Sequence, residues 1–196
     1  MTGTSKVLTY IGGIILALVA IAGGLFAAGY AFSDFPLWIA ISAAVAWIAF
    51  AGLLAWLAFR SPEVAVPVLL AFTLVVSAVT IIDSRMDLFQ RDTSGPVAAV
   101  VVLAMFIPLA TLGLKHPTMA GLLLALLGIS QLLATAMGRW SASGEGPGFL
   151  GLFMGSSGAL VAPMLIGAVL FLIAGGLAHD HVTIGHISTR RGHPAH

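Results

Sequence analysis

Apolar residues in this chain come in long unbroken runs separated by short clusters of charge, proline and glycine. The runs cover residues 7–28, 36–59, 64–82, 96–114, 119–137 and 160–178. The few charged residues fall between the runs and do not recur at helical intervals within them, so each run is apolar on every face. That is the pattern of a helix surrounded by lipid, not of an amphipathic helix with one wet side. A run of about 20 residues at a rise of about 1.5 Å covers the roughly 30 Å hydrocarbon core of a bilayer. Six transmembrane helices are therefore expected.

The breaks between the runs carry turn signals, among them Ser33-Asp34, Arg60-Ser61-Pro62-Glu63 and Lys115-His116-Pro117. Turns this short make sequence neighbours antiparallel and adjacent. The predicted fold is thus all-α: a polytopic, six-transmembrane-helix up-and-down bundle with short loops, forming a single membrane domain over residues 1–196. The first run follows Lys6 much as a secretory signal would, but it is too long for a signal core of roughly 7–15 residues and is expected to stay as an anchor. Residues 149–157 read as an interfacial or tilted segment before the sixth helix, with Gly151, Gly155 and Ala159 in a small-xxx-small helix-packing pattern. Ile21-Ala-Gly-Gly-Leu25 recurs as Ile173-Ala-Gly-Gly-Leu177, a repeat too short to establish an inverted duplication.

Composition agrees. The 196 residues are 60% hydrophobic and only 8% charged, with a mean hydropathy of +1.11, whereas soluble domains carry about a quarter charged residues. A net charge of +1 offers no concentrated basic surface, which excludes nucleic acid as a partner. The absence of cysteine excludes disulfides, thiolate metal sites and a cysteine nucleophile. Placing both termini in the cytoplasm puts Lys6, Arg60, Lys115, Arg190 and Arg191 inside, against Arg85, Arg91 and Arg139 outside, so a plasma-membrane protein with cytoplasmic N- and C-termini is expected.

No ionisable residue lies near the middle of a predicted span, which argues against ion pumps, proton relays and haem-binding bundles. The most polar deep side chain is Gln131, with Ser130 and Thr135 beside it; its amide is expected to bond to another helix or to contact a substrate. Thr73, Ser77 and Thr80 share one face of the third helix leading towards Asp83, either lining a polar path or bonding back to their own carbonyls. If that helix continues, Asp83, Asp87 and Arg91 also share a face, and Asp87 and Arg91 are spaced for an i,i+4 ion pair that could serve docking or a cation. The tail, residues 179–196, is rich in histidine, with His179, His181 and His186 as candidate metal ligands. Trp47 sits in mid-span and must meet lipid, a helix or a ligand. Pro108 and Pro163 invite kinks.

No catalytic motif or cofactor-binding signature is present, so no enzymatic role and no cofactor are expected. The expected partners are the lipid bilayer and other membrane protein chains. The first functional reading is a non-catalytic subunit or accessory component of a larger membrane complex. The alternatives are a small carrier or substrate-binding component for a neutral or hydrophobic solute, and a metal-handling protein using the histidine-rich tail.

Overall fold

The computed structural model describes residues 3–31, 36–86, 91–143 and 156–189. They form six helices: α1 (Gly3–Ala31), α2 (Leu37–Arg60), α3 (Pro62–Met86), α4 (Arg91–Lys115), α5 (Pro117–Ser143) and α6 (Ser156–Thr189). Five contain windows long and apolar enough to cross a membrane, and the apolar described part of α4, Ala99–Lys115, is slightly shorter. The chain is a multi-pass, all-helical membrane protein. Except for α2, which matches its run to within one residue, each helix overruns its apolar run at both ends, because helical hydrogen bonding continues past the hydrocarbon boundary. At 34 residues α6 is about 51 Å long, so it projects well beyond a core of about 30 Å. Both α4 and α6 run through their prolines, Pro108 and Pro163, without interruption.

Two junctions are a single residue long, and proline makes them possible. Pro62 and Pro117 open α3 and α5, where the missing N–H would have had no helical partner and the fixed φ suits the first turn. Ser61 closes one helix and starts the next: its N–H donates to the Leu57 carbonyl (2.8 Å), and its own carbonyl accepts from Ala65 (3.0 Å). His116 does the same, donating to Leu112 (2.8 Å) and accepting from Ala120 (3.1 Å).

The helices alternate in direction. Ser5, Gly12 and Leu16 of α1 meet Ala174, Phe171 and Gly167 of α6 in descending order, which is antiparallel. Trp47 and Thr111 link α2 to α4 near Val100 and Ala55, an ascending and therefore parallel register. The up-and-down direction holds throughout, but adjacency is richer than the loops alone suggest. Helix α4 is the hub, packed by all the others, with α1, α6, α5, α3 and α2 arranged around it. Its Leu103, Met105, Phe106, Leu109 and Leu112 point to different sides and are all buried. Helix α1 packs chiefly on α4 and α6, not on its sequence neighbour α2.

Glycine explains that choice. Between helices in lipid there is no hydrophobic driving force, since a neighbouring side chain is no more apolar than an acyl tail, so close van der Waals approach must hold the helices together. Phe171 of α6, fully buried, inserts its ring between Gly12 of α1 and Gly113 of α4. A Cβ on Gly12 would lie 3.0 Å from that ring, and one on Gly113 would overlap it. The Ile-Ala-Gly-Gly-Leu repeat uses its glycines alike in both helices: Gly23 and Gly175 face neighbours, Leu103 and Thr118, while Gly24 and Gly176 face open space. The outer surface is apolar, with Leu25, Phe26, Leu37, Trp38 and Ile48 all largely exposed for lipid to cover.

Gly113→Ala is expected to destabilise the bundle by about 1–3 kcal/mol through overpacking against Phe171, whereas Gly24→Ala, which adds its methyl to open space, leaves stability nearly unchanged. Thermal unfolding in mild detergent measures both; equal midpoints for the two variants would remove the Phe171 junction as a stabilising element.

Candidate functional site: a neutral polar seam between α3 and α5

The buried residues of α3 are Ala65, Leu69, Thr73, Ser77 and Ser84. The first four are spaced by four, so they form one stripe along the helix. Helix α5 is the principal partner of α3. Two turns separate these helices in an alternating bundle, so they run parallel, and residues about fifty positions apart face each other. One such pair is bonded: Gln131 Nε2 donates to Thr80 Oγ1 at 3.2 Å. The interhelical hydrogen bond expected of the most polar deep side chain is therefore present, and it joins the two polar features of the sequence into one seam.

Among the described residues, the hydroxyls differ in where they bond, Ser5 reaching the Ala174 carbonyl of α6. Most give their proton to a carbonyl three or four residues back on their own helix: Thr9 to Ser5, Thr80 to Val76, Ser84 to Ile81, Thr111 to Pro108, Ser130 to Leu127 and Thr135 to Gln131, at 2.7–2.9 Å. That is the usual resting place of a Ser or Thr hydroxyl in a membrane helix. Thr73 Oγ1 and Ser77 Oγ do not follow it. Both are buried, Thr73 completely, and neither has a hydrogen-bond partner. They lie one helical turn apart, Ser77 about one turn and Thr73 about two turns along α3 from Thr80, whose hydroxyl accepts from Gln131. A buried polar group left without a partner costs about 1–3 kcal/mol, a cost that a bound polar molecule would remove.

Among the described residues, every buried polar side chain is a serine or threonine, and none is ionisable. Charge sits at the ends. Asp83, half-buried, and Arg85, exposed, lie at the C-terminal end of α3. At the opposite end the Lys115 ammonium donates to the Phe59 carbonyl and lies 4.3 Å from the centre of the Phe59 ring. There it caps an otherwise free carbonyl in the last turn of α2, where the helix dipole favours a cation. Trp47 is a packing residue: its indole N–H donates to the Val100 carbonyl of α4 at 3.2 Å. Phe50 lies 5.8 Å from its ring, and Phe72 of α3 lies 5.3 Å from Phe50.

The other candidates are distributed differently. The described part of α3 runs to Met86 and that of α4 begins at Arg91; Asp87 lies outside the described residues, and with it the face expected of Asp83, Asp87 and Arg91. Gly151 and Gly155 also lie outside them, and Ala159 is on α6 with its side chain not described. His179, His181 and His186 are carried on the helical backbone of α6 beyond the apolar stretch, again without described side chains. Among the described residues no three His, Asp or Glu side chains come together as a metal site would require. The residues that sequence reasoning missed are the packing glycines Gly12 and Gly113. Their signal is weak, because their partner Phe171 is distant in sequence.

No protein-family model, no curated protein and no solved structure matches this chain. Fold and seam together define its class: a multi-pass helical membrane protein whose described buried interior is uncharged.

The Thr80–Gln131 bond is expected to show a coupling of about 0.6 kcal/mol in a double-mutant cycle of Thr80→Val and Gln131→Leu, the usual size for interhelical hydrogen bonds in membranes. Unfolding titrations in mixed micelles give the four stabilities; strictly additive effects would show that the two side chains act independently.

Proposed function

We propose that this chain is a small, non-catalytic membrane component that binds a neutral solute inside the bilayer, in the seam between α3 and α5. The observation that carries the reading is the pair of buried hydroxyls, Thr73 and Ser77, with no partner among the described residues, on the helix whose next polar residue, Thr80, accepts from the amide of Gln131. The uncharged character of the described buried residues supports a neutral solute over an ion, because an ion in hydrocarbon needs opposite charge or a full coordination shell. An accessory role in a larger complex draws less support from the geometry. The glycines best suited to close helix contacts, Gly12 and Gly113, are occupied within the chain by Phe171. The protein resides in the plasma membrane on this reading, with both termini cytoplasmic, since Lys6, Arg60 and Lys115 gather at one end of the alternating bundle.

Purified protein screened for thermal stabilisation against neutral solutes, salts, metals and lipids tests the function. A neutral ligand at a hundredfold excess over its Kd raises stability by about 2.7 kcal/mol, and sodium, potassium or divalent cations give no comparable rise. Stabilisation by cations alone, or by no solute across the panel, contradicts the proposal. The chain has no cysteine, so single cysteines introduced at Lys6 and Arg85 report orientation directly: an impermeant thiol reagent added outside intact cells labels the Arg85 position only, and labelling of Lys6 instead reverses the topology.

A further inference from the structure

We infer that the solute is a small uncharged molecule carrying hydroxyl or carboxamide groups, and that it enters the seam from the Asp83 end and stops at Thr73. The inference rests on the solute-binding reading and narrows it. Each free hydroxyl offers one donor and two acceptor lone pairs. Gln131, which spends one N–H on Thr80, keeps a second N–H and a carbonyl oxygen. A purely apolar molecule would leave these groups as they are, without partners. A hard cation needs about six oxygens converging on one point, whereas Thr73 and Ser77 are strung along the helix axis about 6 Å apart. A short polyol or an amide, with donors and acceptors along its own length, matches such a ladder.

The direction follows from what lies on either side of the two hydroxyls. Towards the C-terminal end of α3 the polar groups continue through Thr80 and Gln131 to Asp83 and Ser84, with Thr80 and Asp83 only half-buried. In the other direction Leu69 and Ala65 follow on the same stripe, apolar and completely buried. The stripe is therefore polar and only partly buried at one end, and apolar and completely buried at the other. Thr73 is its blind end, near the middle of α3.

Cysteine accessibility in the otherwise cysteine-free chain tests this in proteoliposomes. The probe is 2-hydroxyethyl methanethiosulfonate, itself small, uncharged and hydroxyl-bearing. A thiol reacts as its thiolate, which needs polar access, so Ser77→Cys and Thr73→Cys are expected to react about tenfold faster than Leu69→Cys and the lipid-facing Leu74→Cys, with Ser77→Cys the faster of the two. Glycerol or acetamide slows the reaction at both seam positions, while an equal osmolarity of sodium chloride does not. Ser77→Cys is nearly isosteric, so it carries the test if Thr73→Cys fails to fold. Equal rates at all four positions, or protection by salt or by an apolar solute only, overturns the inference. Stabilisation of the unmodified protein by neutral solutes without protection of either cysteine removes this ligand class and route but leaves solute binding standing; absence of both removes the proposed function as well.

Discussion

Helices in a bilayer have no hydrophobic reason to leave lipid for one another, and the arrangement of this bundle depends on how it meets that constraint. Attraction between helices must come from dense packing and from hydrogen bonds that have no competing water. The junction at Phe171 supplies the packing. One aromatic ring on α6 fits where two glycines, on α1 and α4, let the backbones come close. This draws α1 to α4 and α6 and leaves α2 at the margin, with much of its surface, including Leu37, Trp38, Ile48 and Trp56, turned outward. The hub position of α4 follows, because α4 must receive Phe171 on one side and the α2 contacts of Trp47 on another.

Hydrogen bonds are used with similar economy. The amide of Gln131 ties α5 to α3, the indole of Trp47 ties α2 to α4, Ser5 ties α1 to the Ala174 carbonyl of α6, and Lys115 ties the end of α4 to that of α2. Each helix thus has at least one polar tether besides its apolar packing. Against that background the free hydroxyls of Thr73 and Ser77 stand out, since both could reach a carbonyl on their own helix as the other hydroxyls do. Among the described residues, Thr73 and Ser77 carry the buried side-chain oxygens without a partner, and the proposed solute site rests on that pair.

Much of this was legible in the sequence, and the reason is physical. A span must be apolar over about 20 residues, so the six helices showed in the runs alone. Gln131 was recognisable because an amide in hydrocarbon needs a partner, and the three-to-four spacing of Thr73, Ser77 and Thr80 placed them on one face. Sequence could not show that these two features meet, because α3 and α5 are separated by a whole helix and only the bundle sets their register. Nor could it choose among the 23 glycines: Gly113 matters because of Phe171, 58 positions away (171 − 113), and nothing local to either residue announces the pair. The face expected of Asp83, Asp87 and Arg91 depends on residues 87–90, which lie outside the described residues.

The central claim, that the α3–α5 seam holds a polar guest, is tested most directly by an experimental density map of the protein in lipid at a resolution that shows bound water and small solutes. The account predicts a discrete feature within hydrogen-bonding distance of Thr73 Oγ1 and Ser77 Oγ, adjoining the Gln131 amide, and none at the Phe171 junction. Both hydroxyls turned back onto the carbonyls of Leu69 and Thr73, with side chains packed across an empty seam, would contradict it.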